Sequence, residues 1–208
     1  MGIGVPFNKG TSRNHFESTH MSNLISPGTP NQDIIQRISR HDEKNIIGFF
    51  GEYRWLSNFH LSPVMYQGVI YPSSENAYQA AKVYGLFRGK FLDMSPNEAK
   101  NYGKSVGIFR DAGSEYDVDY VGAPHQLYTL AQWDRKKLSV MSEILLDKFV
   151  RDPALYRALI DTGEKHLEES NWWGDVFWGT CEGTGENNLG KCLMSIREQL
   201  QGNNWGWM

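Results

Sequence analysis

The sequence predicts an α+β fold, a mainly helical single domain with a small β-hairpin or short sheet. Three observations support this prediction. Apolar residues repeat at helical spacing over several segments in the second half of the chain. Segments with strand character are few, short and close to the front of the domain. They do not alternate regularly with helices, which argues against a doubly wound parallel sheet.

The 208 residues divide into an extension, one domain of ordinary size and a tail. Residues 1–45 are rich in Asn, Ser, Gly and Thr, and we expect a flexible or loosely docked extension there. Within it, the isoleucines between Ile34 and Ile38 indicate one short helix. The domain is placed at residues 46–201 and the tail at residues 202–208.

The front of the domain carries the strand signals. Residues 46–59 are typical of a short strand followed by a loop. The stretch PVMYQGVIYP contains two short, partly β-branched runs on either side of Gln67 and Gly68. Because such runs around a glycine-containing pair favour a tight turn, we predict a β-hairpin here.

Two helix starts follow the hairpin. The first helix is expected to begin at Ser73 or Ser74 and to continue to Gly85. The second start carries a capping box, with Ser95 as N-cap, a proline in the first helical position and Glu98 as the reciprocal partner.

Three longer helices complete the domain. Residues 133–150 form one of them, and its predicted core stripe consists of Leu138, Met141, Leu145 and Phe149. The next begins after the cap residue Asp152 and ends before Gly163. The last follows Asn187, and its predicted buried face consists of Leu189, Leu193, Ile196 and Leu200.

Composition excludes several functional classes. The net charge of -3 argues against a broad electrostatic nucleic-acid binder. The six histidines show no H-x-x-x-H or H-x-H spacing, so we expect no metal site, and no cofactor is expected either. Two isolated cysteines and the lack of a long apolar run indicate a cytoplasmic protein without a membrane partner.

The stretch GTGENNLGKC contains G-x-x-x-x-G-K-C, one residue away from a phosphate-binding P-loop. Cys192 replaces the hydroxyl that would bind Mg²⁺, and only one helix remains before the chain ends, so we exclude a P-loop. A dinucleotide fingerprint would need glycine where Asn188 stands. Two interpretations remain: a turn whose N–H groups favour a polar ligand, or an ordinary loop with Asn187 or Asn188 as helix cap.

Two further segments carry candidate chemistry. On a helix, Glu75, Gln79 and Lys82 share one face, which forms either a solvated surface or one side of a pocket. The segment NWWGDVFWG places tryptophans beside Asp175, a combination suited to stacking a base next to a sugar, although tryptophans also pack cores. In GEYRWLSNF, Arg54 or Asn58 could contact a phosphate or a base edge.

Taken together, five segments resemble the YbiA-like, or NADAR, family over roughly residues 46–200. The segments are LSNF, YPSSENAYQAAK, the pair Trp133-Asp134, GDVFWG and GTGENNLGKCLMSIR. The chain departs from the family pattern in the tryptophan pair before Asp175, which bears on base preference.

The resemblance implies a domain that hydrolyses N-glycosidic bonds. Family substrates include phosphoribosylamino-pyrimidine intermediates of riboflavin biosynthesis, and other members remove ADP-ribose from guanine. The expected partner is therefore a small nucleotide-like substrate or ADP-ribosylated guanine in nucleic acid. The alternative is a non-catalytic module that binds ADP-ribose. For action on nucleic acid, the local basic residues are Arg88 and Lys90.

The resemblance also implies the site residues. The expected catalytic residues are Glu75, Asp175 and Lys82. The expected substrate-binding residues are Asn58, Phe59, Tyr78, Gln79, Trp133, Trp173, Trp178 and Asn187. Cleaving a ribosyl C–N bond builds positive charge at the sugar, and we expect Glu75 to stabilise it while Asp175 orients water or ribose. Two roles stay open for Lys82: a phosphate ligand, or an amine that attacks the ring-opened sugar.

Overall fold

Helices dominate the computed structural model of this chain, which describes Met1 and residues 32–83, 85–106 and 130–202. The described helices are, in chain order, α1 (Gln32–Ile38), α2 (Ser74–Ala80), α3 (Gly85–Arg88), α4 (Pro96–Val106), α5 (Leu130–Arg151), α6 (Pro153–Asp161) and α7 (Asn188–Gly202). Short 3-10 helices lie at Gly51–Leu56 and Gly89–Phe91. The predicted α+β, mainly helical fold is confirmed.

The strands are short and form three small sheets. They are β1 (Arg40–His41), β2 (Asn45–Ile47), β3 (Leu61–Tyr66), β4 (Val69–Ser73), β5 (His166–Glu168), β6 (Ser170–Asn171) and β7 (Thr180–Cys181). In the first sheet β2 pairs antiparallel with β1 and parallel with β5. The other two sheets are the antiparallel β3–β4 pair and the parallel β6–β7 pair. The prediction that strands lie close to the front holds for β1–β4 and was wrong for β5–β7, because strands of two or three residues carry no periodicity in sequence.

The predicted hairpin is confirmed as β3–β4, with its turn at Gln67 and Gly68. Both residues have positive φ, 48° and 79°, as a two-residue turn that matches the twist of the strands requires. The expected strand within residues 46–59 is β2, and the 3-10 turn follows it.

The predicted helix caps are present. Ser73 accepts a hydrogen bond from the Asn76 N–H and begins α2, and Ser95 and Glu98 form the reciprocal capping box of α4. Asp152 accepts from two N–H groups in the first turn of α6, and Gly163, at φ 58°, follows the end of that helix.

One helix end differs from the prediction. The first helix was expected to reach Gly85, yet α2 ends at Ala80. After it the chain tightens, because the N–H groups of Lys82 and Val83 bond three residues back rather than four. This turn buries Val83 completely and places Lys82 at the end of the helix.

Helix α5 contributes most of the stripe that was predicted, with Met141, Leu145 and Phe149 buried. The prediction that Leu138 belongs to the buried stripe was wrong, since 41% of this residue is exposed. It lies on the flank of the buried face, whose centre follows Val140 and the residues four and eight positions later. The predicted buried face of α7 is confirmed for Leu189, Leu193, Ile196 and Leu200.

The predicted extension lies mostly outside the described residues, as does nearly all of the predicted tail. Its described part contains α1 and β1, ahead of the boundary placed at residue 46. Ile38 is buried, and β1 is hydrogen-bonded to β2 of the domain.

Candidate active site

A cavity of about 840 Å³ gathers most of the predicted site residues. From α2 and the turn after it come Glu75, Tyr78, Gln79 and Lys82, which we call the helical wall. From residues 169–178 come Trp173, Asp175 and Trp178, which we call the loop wall. Asn58 and Phe59, from the segment that connects β2 to β3, also line the cavity. The polar stripe of α2 is therefore one side of a pocket and not a solvated surface, since every residue of that helix is buried.

Three polar side chains of the helical wall form a hydrogen-bonded triad. The Gln79 amide donates to Glu75 Oε1 at 2.7 Å, and Lys82 Nζ donates to Gln79 Oε1 at 2.6 Å. The first contact spans one helical turn, as the sequence predicts. The second arises from the tight turn that ends α2, which brings the ammonium back towards the amide.

Helix α4 approaches this triad closely because it contains a glycine at the contact. A Cβ on Gly103 would lie 2.0 Å from Gln79 Oε1, so no other residue fits without moving the amide. The same helix presents Asn97, Lys100 and Lys104 to the cavity. The close approach therefore fixes Gln79 and adds two ammonium groups to the site.

Burial shifts the titration of the helical wall. It raises the pKa of Glu75 above its ordinary value, against the opposing effects of Lys100, the Gln79 hydrogen bond and Lys82. Burial also lowers the pKa of Lys82 to about 8, although Glu75 opposes that shift. With this pKa about a tenth of Lys82 is the neutral amine at pH 7, which is the form that nucleophilic or Schiff-base lysines require.

The loop wall is held by a turn around Asp175. Its Oδ1 accepts hydrogen bonds from the Phe177 and Trp178 N–H groups at 3.2 and 2.9 Å, which explains the three-residue spacing of aspartate and tryptophan. Asn171, fully buried, bonds through its side chain to the main chain of Trp173, Asp175 and Thr180.

Aromatic rings join the two walls. Tyr78 meets Trp178 edge to face at 5.4 Å between ring centroids. Lys100 Nζ lies 5.3 Å from the Phe59 ring centroid and 5.2 Å from that of Trp173. This arrangement leaves ring faces and a cation on the same cavity, which suits a planar heterocycle that carries an anionic group.

Two buried polar atoms at the cavity have no hydrogen-bond partner in the described structure. They are Asn58 Oδ1 and Trp173 Nε1, an acceptor and a donor. Buried polar groups are normally paired, so such atoms beside a cavity favour a polar ligand that supplies the missing partners.

Trp133 and Asn187, both predicted to bind substrate, do not line this cavity. Trp133 is buried behind Tyr78, at 5.1 Å between ring centroids, and supports that ring. The Asn187 amide is used by the main chain: its Oδ1 accepts from Glu169 N–H and its Nδ2 donates to Leu167 C=O. Both of its polar groups are therefore bonded to the main chain of β5 and of the residue after it, and its contact with a ligand stays a prediction.

The structure also adds residues to the site that the sequence did not predict. They are Arg54, Asn97, Lys100, Lys104, Glu169 and Trp172, of which Arg54 carried only a weak signal. The helical spacing of the three α4 residues could have shown that they share a face. Glu169 had no such signal, because it follows the three-residue strand β5.

Two further features bear on the possible chemistry. No group of three His, Cys, Asp or Glu side chains within the described ranges could hold a metal ion. Among the helices described above, none is long and apolar enough to cross a membrane. The P-loop lysine candidate, Lys191, is exposed and lies outside the cavity.

Comparisons with known proteins agree on one family. The sequence model of the NADAR domain matches residues 43–201. N-glycosidase YbiA of Escherichia coli is 30% identical over 172 residues, which cover 79% of this chain and 94% of that protein. A riboflavin biosynthesis protein of Vibrio vulnificus is 30% identical over 148 residues, or 71% of this chain. This chain spans only 35% of the Vibrio protein's length.

The solved structures give the same answer for the fold. The NMR structure of E. coli YbiA superimposes with a TM-score of 0.61 at 26% sequence identity. The match covers 84% of this chain and 95% of that one. With a family match over most of its length and a relative of the same extent, this chain belongs to the NADAR domain family.

Proposed function

We propose that this protein hydrolyses an N-glycosidic bond between a ribosyl carbon and a base or amine nitrogen. The observation that carries the proposal is the buried Glu75 carboxylate, fixed by Gln79 at a cavity that also presents aromatic rings and lysines. The names of its relatives, N-glycosidase and riboflavin biosynthesis protein, agree with this chemistry.

In this proposal the helical wall and the loop wall have different roles in the reaction. Glu75 stabilises the positive charge that develops at the sugar and receives a proton from the attacking water. Asp175 orients water or ribose from the loop wall, and Trp178 and Trp173 stack the base. The cations Lys100 and Arg54 favour a substrate that carries phosphate.

Lys82 supports two versions of this reaction. As an ammonium it binds phosphate, and as an amine it attacks the ring-opened sugar to form a Schiff base. Reduction with sodium cyanoborohydride during turnover separates the versions. A covalent adduct on Lys82, found by peptide mass spectrometry and absent in Lys82→Arg, supports the amine; turnover without any adduct supports the phosphate ligand.

We propose two candidate substrates: a phosphoribosylamino-pyrimidine intermediate of riboflavin biosynthesis, and guanine that carries ADP-ribose. Both join ribose to nitrogen and both carry phosphate. The free thiols of Cys181 and Cys192 agree with the cytoplasm as the place of reaction.

The test is to incubate the chain with each substrate and to measure the base or ADP-ribose that is released. We expect Glu75→Gln to lower kcat by about 10²–10⁴-fold, because the amide cannot take a proton. Glu143→Gln, an exposed site on α5, is the matched control and should retain full activity.

Full activity of Glu75→Gln would refute the mechanism. If neither substrate is cleaved but free ADP-ribose binds, the chain is instead a non-catalytic ADP-ribose-binding module. Isothermal titration with ADP-ribose distinguishes this outcome from an inactive preparation.

A further inference from the structure

A second carboxyl group of the cavity, that of Glu169, has no role in the reaction described above. It stands on the loop wall directly after β5. In the part of the chain that the structure describes, its side chain makes no hydrogen bond and no ion pair. Its main chain, by contrast, is fixed on both sides: the N–H donates to Asn187 Oδ1 at 3.1 Å and the carbonyl accepts from Thr180 N–H at 2.8 Å.

Close packing also holds Glu169 in place. A Cβ on Gly179 would lie 2.1 Å from the Glu169 carbonyl oxygen, so only glycine lets the two segments approach. Asn187, whose φ is 51°, adopts a backbone conformation that favours glycine, and its amide still bonds to this segment. Several unusual local features therefore converge on the position of one unpaired carboxyl group.

The charges that face Glu169 set it apart from Glu75. Burial acts first on Glu169 and, with the negative charges of Asp175 and Glu75, raises its pKa to about 8 against the opposing effects of Lys100 and Arg54. Burial raises the pKa of Glu75 as well, but Glu75 accepts a hydrogen bond from Gln79 and faces two lysines, which oppose that rise. One cavity thus holds two carboxyl groups in different settings: Glu75 accepts a hydrogen bond that favours its ionised form, and among the described residues Glu169 has no such bond.

We propose that Glu169 is the general acid of the reaction and protonates the departing nitrogen. This inference rests on the proposed function. The C1′–N bond breaks and its electron pair passes to nitrogen, which takes the proton from Glu169. Water forms the new bond to C1′ and gives a proton to Glu75. The products are the free amine or base and the sugar hydroxyl, and the two carboxyl groups then exchange their protons with solvent.

The leaving group provides a sharp test. With a phosphoribosylamino-pyrimidine, whose amine leaves poorly without a proton, Glu169→Gln should lower kcat by about 10²–10⁴-fold with little change in KM. With the para-nitrophenyl riboside phosphate, whose leaving group needs no proton, the same variant should retain most of the wild-type rate. The fall in rate on the alkaline side of the pH profile should also disappear in Glu169→Gln and persist, shifted, in Glu169→Asp.

A structural role for Glu169 would give a different pattern. If Glu169→Gln loses activity equally with both leaving groups, or loses none with the pyrimidine, the assignment is wrong. Infrared difference spectra of wild type against Glu169→Gln at pH 7 supply a readout without turnover. A band from a protonated carboxyl group is expected, and its absence would overturn the assignment even if a variant fails to turn over.

Failure of the proposed function looks different again. If the wild-type chain cleaves neither the pyrimidine nor the ADP-ribosylated guanine, the reaction itself is refuted, and the role of Glu169 as its acid falls with it. If wild type cleaves either one while Glu169→Gln matches it, the function stands and only this assignment fails.

Discussion

The two walls of the cavity are built in different ways. The helical wall is one capped helix whose polar residues meet at helical spacing, and Glu75 and Gln79 bond within a single turn. The loop wall has no regular structure between β6 and β7, and side-chain amides such as that of Asn171 replace the missing backbone pairing. Local rules specify the first wall, whereas contacts between distant residues specify the second.

This difference predicts where each wall is vulnerable. The helical wall forms by hydrogen bonds within one helix. Its neighbours, such as α4 at Gly103, determine only where its side chains lie in the cavity. The loop wall depends on a few buried amides for its existence. Three substitutions test this comparison, from the largest expected effect to the smallest.

The largest effect is expected for Asn171→Ala in the loop wall. The side chain is fully buried and bonds to four main-chain groups, so its removal leaves buried donors and acceptors without partners. We expect a loss of about 3–4 kcal/mol in the free energy of unfolding, measured by urea denaturation. Asn101→Ala, at an exposed position of α4, should change it by less than about 0.5 kcal/mol. A loss in Asn171→Ala as small as that of its control would contradict this account of the loop wall.

A second substitution, Gly103→Ala, displaces the helical wall without unfolding it. The new methyl group would overlap Gln79 Oε1, so the amide must move away from Glu75 and Lys82. We expect kcat/KM to fall about tenfold, equal to roughly 1.4 kcal/mol, while helix propensity keeps the unfolding free energy level or raises it. Gly202→Ala, where a Cβ meets nothing within 4 Å, should leave activity unchanged. If both variants have the same kcat/KM, the position of the Gln79 amide does not matter for the reaction, and this account of the helical wall is wrong.

The smallest effect concerns Lys148, which supports the segment beside the helical wall from the core. Its amino group is fully buried and donates to the carbonyls of Trp55 and Ser57. The next residue, Asn58, accepts from the Glu75 N–H through its carbonyl. Burial, followed by the charge of Arg54, lowers the pKa of Lys148 from 10.5 to about 7.

The sign of the pH dependence follows from that shift. Between about pH 7 and pH 10 the unfolded chain binds more protons at Lys148 than the folded chain, so raising the pH stabilises the fold. Relative to Lys148→Met, wild type should gain on the order of 1 kcal/mol in unfolding free energy per pH unit from pH 7 to pH 8.5. A difference between the two proteins that stays constant with pH would mean that Lys148 remains charged in the fold.

The same comparison explains what the sequence could predict. Capping residues such as Ser73 and Ser95 act on main-chain groups two or three residues away, so the starts of α2 and α4 were readable. Of the eleven site residues that the resemblance to a family implied, nine line the cavity, and they come from both walls. The motifs name these residues but do not indicate which helices and loops pack against one another.

The missing part depends on packing between elements. Lys100 and Lys104 enter the site because α4 rests on α2 at a glycine, and no sequence period reports which helix faces which. The positions of Glu169 and Asn187 were not predictable for the same reason. A strand of three residues shows no pattern that would place Glu169 at the cavity, and the main-chain partners of the Asn187 amide are known only from the fold.

The pairing of β2 with β5 has a consequence for folding in the cell. Asn45 pairs with His166, roughly 120 residues later, and the loop wall begins just after that strand. During synthesis, the helical wall therefore leaves the ribosome long before the groups it must work with. The cavity therefore lacks its loop wall until residues 169–178 have been made, and the pairing of β2 with β5 must close a loop of roughly 120 residues.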